Sequence, residues 1–422
     1  MINTNLVMYA SIGLTLILFL TIPVRRALVM SYCLLWMFLP MAQIDLPGLP
    51  PLGKPATIGA GVFVAIVLFY SDLIVKQFKV RWFDFPLVLF AVIAPFVSAF
   101  MNGLGMDGAL HETINNLFLW VVPYFAGRII LGDELGVQEL ATGIFLSVLI
   151  YCPLAWYEML MSPQLHKIIY GWHPADFAQA RRGWGYRPVL FMQHGLMTAM
   201  WLVAGSLCGL WLLRNKRLRW KWNVSPKLAV GFCVFTAAVC NSTGAVLLMG
   251  VALLALFATR RTNPAWVLVP IIAIAPLYIA ARSTNLVKGE SLVNMVAPIN
   301  EYRAASLGFR LESEDAYVAR AWEQPVLGWG GFGRQRPIDE TTGKRKISDG
   351  LWIIIFGKTG LIGLIAMLVT LLMVPIAVAM NQDVRTWRHP RFAATGVLTV
   401  LLCIYTVDNL FNAMVNPIYM LM

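Results

Sequence analysis

Long blocks of apolar residues, separated by short polar stretches, dominate this chain. Within the blocks, apolar residues follow one another without the alternation that is typical of a half-buried strand. A block of about 20 apolar residues crosses the hydrocarbon core of a bilayer as a helix, because a helix satisfies its own backbone hydrogen bonds. The pattern therefore predicts an all-α, polytopic integral membrane protein in which a single helical bundle includes residues 1–422.

Twelve blocks are candidate membrane spans. They cover residues 6–23, 27–44, 57–75, 85–100, 114–131, 140–156, 189–213, 228–239, 245–258, 265–281, 350–380 and 392–411. The stretch 228–258 can form one very long helix or two short ones joined at residues 241–244. Basic residues flank both of its ends, which favours a hairpin because both ends then lie on the same side of the membrane.

The distribution of Lys and Arg among the short loops predicts the orientation, because such residues are enriched on the cytoplasmic side. Alternate loops carry Arg25-Arg26, Arg260-Arg261 and the basic run 214–227, whereas the short loops of the opposite side contain chiefly Lys54. The basic side is therefore predicted to be cytoplasmic, with both termini outside. No basic residue precedes the first block, so we expect a retained helix there and not a cleaved signal peptide.

Composition and charge narrow the possible functions. Hydrophobic residues make up 59% of the chain and charged residues 13%, against about 45–50% and about 25% in soluble domains. The net charge of +12 can suggest nucleic acid, but the basic residues lie between apolar blocks, so we exclude that partner. The six cysteines lie inside or at the ends of the blocks, in no spacing typical of a zinc site. We therefore expect no metal and no cofactor.

Two loops of the outward side differ from the others. The first outer loop covers residues 161–188. The large outer loop covers residues 282–349, between the tenth and eleventh predicted helices, and has ten Lys or Arg and nine Asp or Glu. Within it, the stretch 302–322 has the pattern of an amphipathic helix, with an apolar face of Leu311, Tyr317, Val318 and Trp322. We expect this helix to lie at the membrane interface.

Three arginines lie close together at the end of the first outer loop: Arg181, Arg182 and Arg187. A guanidinium offers a planar fork that matches phosphate oxygens and does not lose its charge. Trp184 and Tyr186, in the same stretch, can stack on a sugar or anchor the loop at the interface. The stretch is therefore a candidate phosphate site, and the alternative is a contact with anionic lipid headgroups.

The large outer loop has a second group of candidates. Arg310 and Glu314 are four residues apart and would lie side by side on a helix, where an ordinary ion pair is the structural alternative. Arg320 follows further along the same stretch. Trp329 belongs to the run Gly-Trp-Gly-Gly, whose glycines predict a sharp loop that passes close to a ligand.

Two further residues are candidates for proton transfer. Asp349 precedes the block 350–380, where it can cap the helix or meet a substrate hydroxyl. His194 is predicted to lie just inside the block 189–213, and ionisable groups at such depth usually face a cavity. A hydrogen-bonded packing role is the alternative for His194.

These features resemble the O-antigen ligase/polymerase superfamily. The resemblance rests on about a dozen helices, a large outer loop, an arginine-bearing stretch before a Pro-x-x-Gly-Trp-Gly-type motif, and a polar pair that enters the next helix. It covers residues from about 140 to 380. The exopolysaccharide polymerase branch is the most similar, through Asn241-Ser242-Thr243-Gly244-Ala245 and Arg187-Pro188-Val189-Leu190-Phe191-Met192-Gln193-His194-Gly195.

The resemblance implies a GT-C-like, metal-independent glycosyltransferase of the bacterial plasma (inner) membrane. Its substrate would be a glycan linked to undecaprenyl pyrophosphate, polymerised into an exopolysaccharide or O-antigen with inversion of the anomeric centre. Chain-length regulators or export proteins would be its protein partners. The pyrophosphate would be bound by Arg187 and Arg310, with Arg181, Arg182 and Arg320 as secondary candidates. The ligase branch often has a histidine before the late helix where this chain has Asp349, which leaves the base open between Asp349, Glu314 and His194.

Two other functions compete with this interpretation. A ligase of the same superfamily would transfer a finished glycan to a lipid or protein acceptor. A transporter or flippase would have a similar number of spans. Transporters often consist of two related halves, but no repeat relates residues 1–210 to residues 211–422.

Overall fold

The computed structural model describes residues 2–45, 50–182, 185–220, 222–298, 301–339 and 343–422. The chain is 73% helical. Sheet is limited, among these residues, to two short antiparallel pairs: β1 (Gln43–Ile44) with β2 (Leu52–Gly53), and β3 (Arg181–Arg182) with β4 (Gly185–Tyr186). The predicted all-α class is therefore confirmed.

The helices are α1 (Thr4–Thr21), α2 (Val24–Phe38), α3 (Lys54–Phe69), α4 (Ser71–Gln77), α5 (Phe85–Val88), α6 (Ala94–Met101), α7 (Gly105–Asn116), α8 (Val122–Ile130), α9 (Glu134–Met161), α10 (Leu165–Tyr170), α11 (Gly195–Arg214), α12 (Pro226–Val239), α13 (Thr243–Ala258), α14 (Pro264–Ser283), α15 (Gly289–Val296), α16 (Glu301–Trp322), α17 (Leu351–Asn381), α18 (Val384–Arg388) and α19 (Ala393–Asp408). Two π-helical turns, Leu89–Ile93 and Leu117–Val121, join α5 to α6 and α7 to α8.

Seven helical segments of the described chain are long and apolar enough to cross a membrane. They are Thr4–Thr21, Trp82–Met101, Glu134–Met161, Gly195–Arg214, Pro264–Ser283, Leu351–Asn381 and Pro390–Asp408. Helices α3 and α4 add an eighth if this pair, bent by 89°, forms one span. Other predicted blocks form shorter helices: α2 has 15 residues and α12 has 14, so at about 1.5 Å per residue each is shorter than a hydrocarbon core of about 30 Å.

The stretch 228–258 forms two helices, as the hairpin prediction requires. Helix α12 ends at Val239 and α13 begins at Thr243. Between them Asn241 has a left-handed backbone conformation, with a φ of 55°, which asparagine tolerates better than most residues. The alternative of one continuous helix is therefore wrong.

The predicted block 189–213 begins its helix six residues late. Helix α11 begins at Gly195, and residues 188–194 form an irregular segment. The carboxylate of Glu158, at the end of α9 and only 1% exposed, accepts hydrogen bonds from the backbone N–H groups of Val189 and Leu190, both at 2.8 Å. These bonds compensate for the missing helical hydrogen bonds, so His194 precedes the helix and does not lie inside it.

Lys54 supports the same irregular segment from the other side. Its ammonium group is buried and donates to the carbonyl oxygens of Leu39 and Phe191, both at 2.8 Å. It therefore links the end of α2 to residues 188–194. Lys54, the chief basic residue of the short outward loops, thus has a structural role in supporting residues 188–194.

The amphipathic helix predicted at 302–322 is present as α16. Leu311, Tyr317 and Val318 are buried, as the predicted apolar face requires, whereas Trp322 is 43% exposed. Helix α16 packs against α15 and α17, and this packing gives the large outer loop a fixed position above the bundle.

Helix α17 is broken at Gly360, where φ is 66° and ψ is −165°. The backbone N–H groups of Trp329 and Gly330 donate to the carbonyl oxygens of Gly357 and Lys358, at 2.8 and 3.0 Å. The Gly-Trp-Gly-Gly run thus packs on the break. A Cβ atom at Gly360 would lie 2.1 Å from a backbone oxygen of this loop. The close approach that these glycines allow is made, in the described chain, to the broken part of α17.

Candidate functional site

The candidate site lies around His194, the residue that precedes α11. Its Nδ1 accepts a hydrogen bond of 3.1 Å from the backbone N–H of Leu196, as an N-cap does. Since Nδ1 accepts, the proton of the neutral ring lies on Nε2, which is 3.3 Å from the side-chain oxygen of Gln179. Both ring nitrogens therefore have partners, one in α11 and one in the first outer loop.

Three arginines bring the two outer loops together at this histidine. Burial lowers the pKa of His194 to about 4, and the charges of Arg187, Arg310 and Arg182 lower it in the same direction. Arg182 and Arg187 lie near the end of the first outer loop, and Arg187 directly precedes the irregular segment 188–194. Arg310 belongs to α16 of the large outer loop. The sequence predicted each of the three as a phosphate ligand, and the structure places them within electrostatic range of one imidazole.

The depressed pKa of His194 predicts a dependence of stability on pH. An ordinary histidine titrates near 6.5 and His194 near 4, so between these values the unfolded chain binds the additional proton. The contribution of His194 is thus complete above pH 6.5 and is lost as the pH falls toward 4. His194→Asn retains a capping side chain, and we expect its unfolding temperature in detergent to decrease less than that of the wild type between about pH 7 and 4.5. His389→Asn, at an exposed histidine, is the control, and an equal decrease in all three proteins would contradict this account.

Arg187 is fixed by contacts with two other parts of the chain. Its Nε donates to the backbone oxygen of Asn241 at 3.2 Å, and the side chain of Asn241 donates to the backbone oxygen of Tyr186 at 3.1 Å. The aliphatic part of Arg187 lies against Gly195, where a Cβ atom would be 2.5 Å from Cγ. The turn between α12 and α13 and the start of α11 therefore position this arginine.

The remaining candidates of the first outer loop belong to the β3–β4 hairpin. Arg181 pairs with Tyr186, and Arg182 pairs with Gly185. Arg181 is exposed, whereas Arg182 and Tyr186 are partly buried. The ring of Tyr186 lies 6.1 Å from that of Phe177. Trp184, the predicted sugar-stacking residue, lies outside the described residues.

Arg310 and Asp349 form the second half of the site. Their Nε and Oδ2 atoms are 3.6 Å apart, and their side chains are 34% and 46% exposed. Both line a cavity of about 420 Å³, together with Gln179, Ser313 and Lys346. Gln179 connects this cavity to His194, so residues of both outer loops share one polar space.

Asp349 does not cap helix α17. The N-cap residue is Gly350, and no side chain caps the helix there. The first helical N–H group, that of Leu351, donates instead to the backbone oxygen of Asn409 at 2.9 Å. The capping alternative for Asp349 is therefore wrong, and its carboxylate faces Arg310 and the cavity.

The helical spacing suggested that Glu314 pairs with Arg310, but the two residues do not form this pair. The carboxylate of Glu314 is buried and accepts a hydrogen bond of 2.6 Å from Nε of Arg282, at the end of α14, and one of 3.0 Å from the hydroxyl of Tyr278. Burial raises the pKa of Glu314, and the contact with Arg282 opposes the rise. A carboxylate held in this way fixes α16 to α14, and through α16 it positions Arg310.

Arg320 and Trp329 form a separate pair. The guanidinium lies 3.4 Å from the centre of the indole ring, and the indole N–H donates to the backbone oxygen of Arg320 at 2.8 Å. Arg320 also pairs with Glu323. It follows Arg310 by ten residues on one helix, which separates them by about 15 Å along the axis. The structure therefore does not bring Arg320 into the group around His194.

Four residues that build the site were not among the predicted site residues: Glu158, Gln179, Asn241 and Arg282. Glu158 and Arg282 carried a usable signal, because a charged residue at the end of an apolar block needs a partner. Gln179 is a neutral residue in a loop, and no pattern in one sequence distinguishes it. Asn241 belongs to the predicted turn that carries the resemblance, but nothing in the sequence assigned it to the site. In the described chain, no group of three or more His, Cys, Asp or Glu residues could hold a metal ion.

No protein-family model matches this chain, and no curated protein matches it.

Proposed function

We propose that this chain is a GT-C-like glycosyltransferase of the bacterial plasma membrane that polymerises oligosaccharide repeat units linked to undecaprenyl pyrophosphate. The product is an exopolysaccharide or O-antigen, and the bundle spans the membrane twelve times with both termini outside. The observation that carries the proposal is the group formed by Arg182, Arg187 and Arg310 around His194, with the carboxylate of Asp349 beside Arg310.

The arginines suit a diphosphate leaving group. When the bond between the anomeric carbon and the pyrophosphate oxygen breaks, negative charge develops on that oxygen, and fixed guanidinium groups stabilise it. Arg187 is fixed by Asn241 and Gly195, and Arg310 by the attachment of α16 to α14. Because these contacts are made by the protein itself, the charges are in place before a substrate binds.

The same arrangement provides for the proton of the attacking hydroxyl. As the hydroxyl oxygen of the acceptor sugar bonds to the anomeric carbon, its proton is transferred to Asp349 and the pyrophosphate leaves from the opposite face. This single displacement inverts the anomeric centre. Asp349 is the best placed of the three candidate bases, because Glu314 is held by Arg282 and His194 has partners at both nitrogens.

The position of the site suits a lipid-linked substrate. The loops that carry these residues lie at the end of the bundle opposite the basic loops 22–26, 214–227 and 259–263. A diphosphate headgroup on a polyprenyl chain reaches this depth while its chain remains in the bilayer. A phosphate site at this end therefore supports surface chemistry on a lipid-linked glycan.

Substitution of the arginines tests the proposal. Arg187→Gln and Arg310→Gln are each expected to reduce polymer formation by about a hundredfold, as the loss of one preorganised donor does, while the protein accumulates normally. The measurement is gel analysis of surface glycan in complemented deletion cells, with membrane abundance determined by immunoblot. Arg261→Gln, at an exposed arginine of the basic end, is the matched control. Polymer of normal length and amount from either site variant, at normal abundance, would refute the proposal.

The material that accumulates in deletion cells distinguishes the proposed activity from its alternatives. A polymerase defect leaves single repeat units linked to the lipid on the outer side. A ligase defect leaves long lipid-linked chains that are not attached to an acceptor. A flippase defect leaves single units that are inaccessible to a glycosidase added outside the cells. Only the first result agrees with the proposal.

A further inference from the structure

A groove lies on the surface of the bundle between the N-terminal parts of α2 and α9, at the basic end of the molecule. Its volume is about 300 Å³. Val29 and Met30 of α2 and Gly143 and Leu146 of α9 form its apolar floor. The two helices approach closely here, because a Cβ atom at Gly143 would lie 2.2 Å from a methyl carbon of Val29. The floor is thus a fixed, narrow trough.

The polar end of the groove has two arginines on either side of one carboxylate. Nε of Arg26 lies 3.4 Å from Oε1 of Glu139, and Nη1 of Arg219 lies 3.7 Å from the same oxygen. The arginine side chains are 59% and 50% exposed. The other carboxylate oxygen of Glu139 is buried and has no hydrogen-bond partner among the described residues.

Two tryptophans border this polar end. Trp220 and Trp222 line the groove, with their ring centres 5.2 Å apart. Trp222 is 52% exposed, so the groove opens to the surface of the bundle. Tryptophan is enriched at the level of lipid headgroups. The groove therefore combines an apolar trough, two tryptophans and a cationic end, which suit the acyl chain, the interfacial region and the phosphate of a phospholipid.

We propose that this groove binds one anionic glycerophospholipid of the phosphatidylglycerol class. An acyl chain lies in the trough over Val29 and Leu146, and the phosphate bridges Arg26 and Arg219. A basic pocket between helices on one side of a membrane protein is a typical site for an acidic lipid headgroup.

Charge selects this lipid over a zwitterionic one. Arg26, Arg219 and Glu139 together carry one net positive charge, which a lipid with one negative charge neutralises. Phosphatidylcholine and phosphatidylethanolamine have no net charge, so either lipid leaves the polar end positive. The anionic lipid therefore matches the polar end of the groove, and the zwitterionic lipids do not.

The lipid site is independent of the proposed enzymatic activity. It lies at the opposite end of α9 from Glu158, which supports the candidate catalytic site. A failure of either proposal therefore leaves the other intact.

The test is lipid binding by the purified full-length protein in detergent after delipidation. After phosphatidylglycerol is added back, native mass spectrometry is expected to show one bound lipid molecule per chain. The same lipid should raise the unfolding temperature by several degrees, since a ligand of the folded state stabilises it. Phosphatidylethanolamine and phosphatidylcholine should do neither. Arg26→Gln/Arg219→Gln is expected to weaken binding by more than about tenfold, because two charge-assisted hydrogen bonds are lost.

The control for charge is Arg261→Gln/Arg385→Gln, which removes two exposed arginines elsewhere at the basic end and should bind the lipid as the wild type does. Leu146→Trp fills the trough without altering the charges and should abolish binding, and it decides the matter if the double arginine variant does not fold. Equal stabilisation by all three lipids, or unchanged binding in both groove variants, would overturn the proposal.

Discussion

Replacing Asp349 with asparagine is expected to reduce sugar transfer by a factor of about 10² to 10⁴, the usual contribution of a general base. The asparagine has the same size and retains an acceptor toward Arg310, but its amide does not take up the proton of the attacking hydroxyl. Because Gly350 and not Asp349 is the N-cap of α17, we expect no loss of helix stability. The variant should therefore accumulate normally in the membrane and fail only in catalysis.

The measurement is the rate at which purified protein extends a lipid-linked repeat unit, together with the yield of polymer in cells. Glu312→Gln is the matched control, since Glu312 is an acidic residue that lines the same cavity and pairs with Lys346 while remaining 75% exposed. We expect this control to retain most of the activity. If Asp349→Asn retained more than a tenth of the rate, Asp349 would not be the base.

In that event His194 would be the remaining candidate, although its environment does not favour the role. Its pKa of about 4 makes it a weak base at neutral pH. Its protonated form would also lie among the positive charges of Arg187, Arg310 and Arg182. A neutral imidazole that donates through Nε2 and accepts through Nδ1 is better suited to positioning Gln179 at the edge of the cavity.

The helices could be predicted from the sequence because the surrounding lipid determines which structure an apolar block can form. A segment in lipid must satisfy its backbone internally, so an apolar block of sufficient length forms a helix whatever its neighbours are. The irregular features depend on particular partners instead. The late start of α11 requires Glu158 and Lys54, and the break at Gly360 requires the loop that contains Trp329. No local pattern contains these long-range partners.

The same limit explains which parts of the candidate site could be predicted. A cluster of arginines is visible in the sequence, so Arg182 and Arg187 were predicted as neighbours. That Arg310 approaches them depends on the folding of α16 over the bundle. The resemblance to a known superfamily suggested this approach, whereas the residue spacing did not. Spacing alone paired Arg310 with Glu314, because helical periodicity identifies only neighbours on the same helix.

The actual partner of Glu314 is Arg282, and this contact defines the position of Arg310. Glu314 lies one turn after Arg310 on α16, and it forms the buried contact with Arg282 of α14. Arg282 also bonds to Asp315 at 2.6 Å and to the backbone oxygen of Val287 at 2.8 Å. One guanidinium thus connects α14, the following loop and α16. The orientation of Arg310 toward His194 and Asp349 depends on this connection.

Replacing Arg282 with methionine is expected to destabilise the protein by about 3–5 kcal/mol, the usual cost of leaving one partner of a buried ion pair uncompensated. Arg282 is 1% exposed, and methionine replaces its aliphatic part while leaving Glu314 with only the hydroxyl of Tyr278 among its strong partners. Because burial raises the pKa of Glu314 and the opposing arginine is absent, the carboxyl should bind a proton in the folded variant. A group whose pKa is raised by folding stabilises at low pH and ceases to do so as the pH rises.

Arg282→Met should therefore recover part of its stability as the pH is lowered from about 8 to 5, whereas the wild type should not. Unfolding by SDS, measured at both pH values, tests this. The double variant Arg282→Met/Glu314→Leu is the decisive comparison, because replacing both charges with apolar groups removes the uncompensated carboxylate and can restore stability. If the double variant were as unstable as the single one, loss of packing and not the buried charge would be the cause. If it regained stability and also polymer formation, the ion pair would be shown to act only by positioning α16, and Glu314 would be excluded as the base.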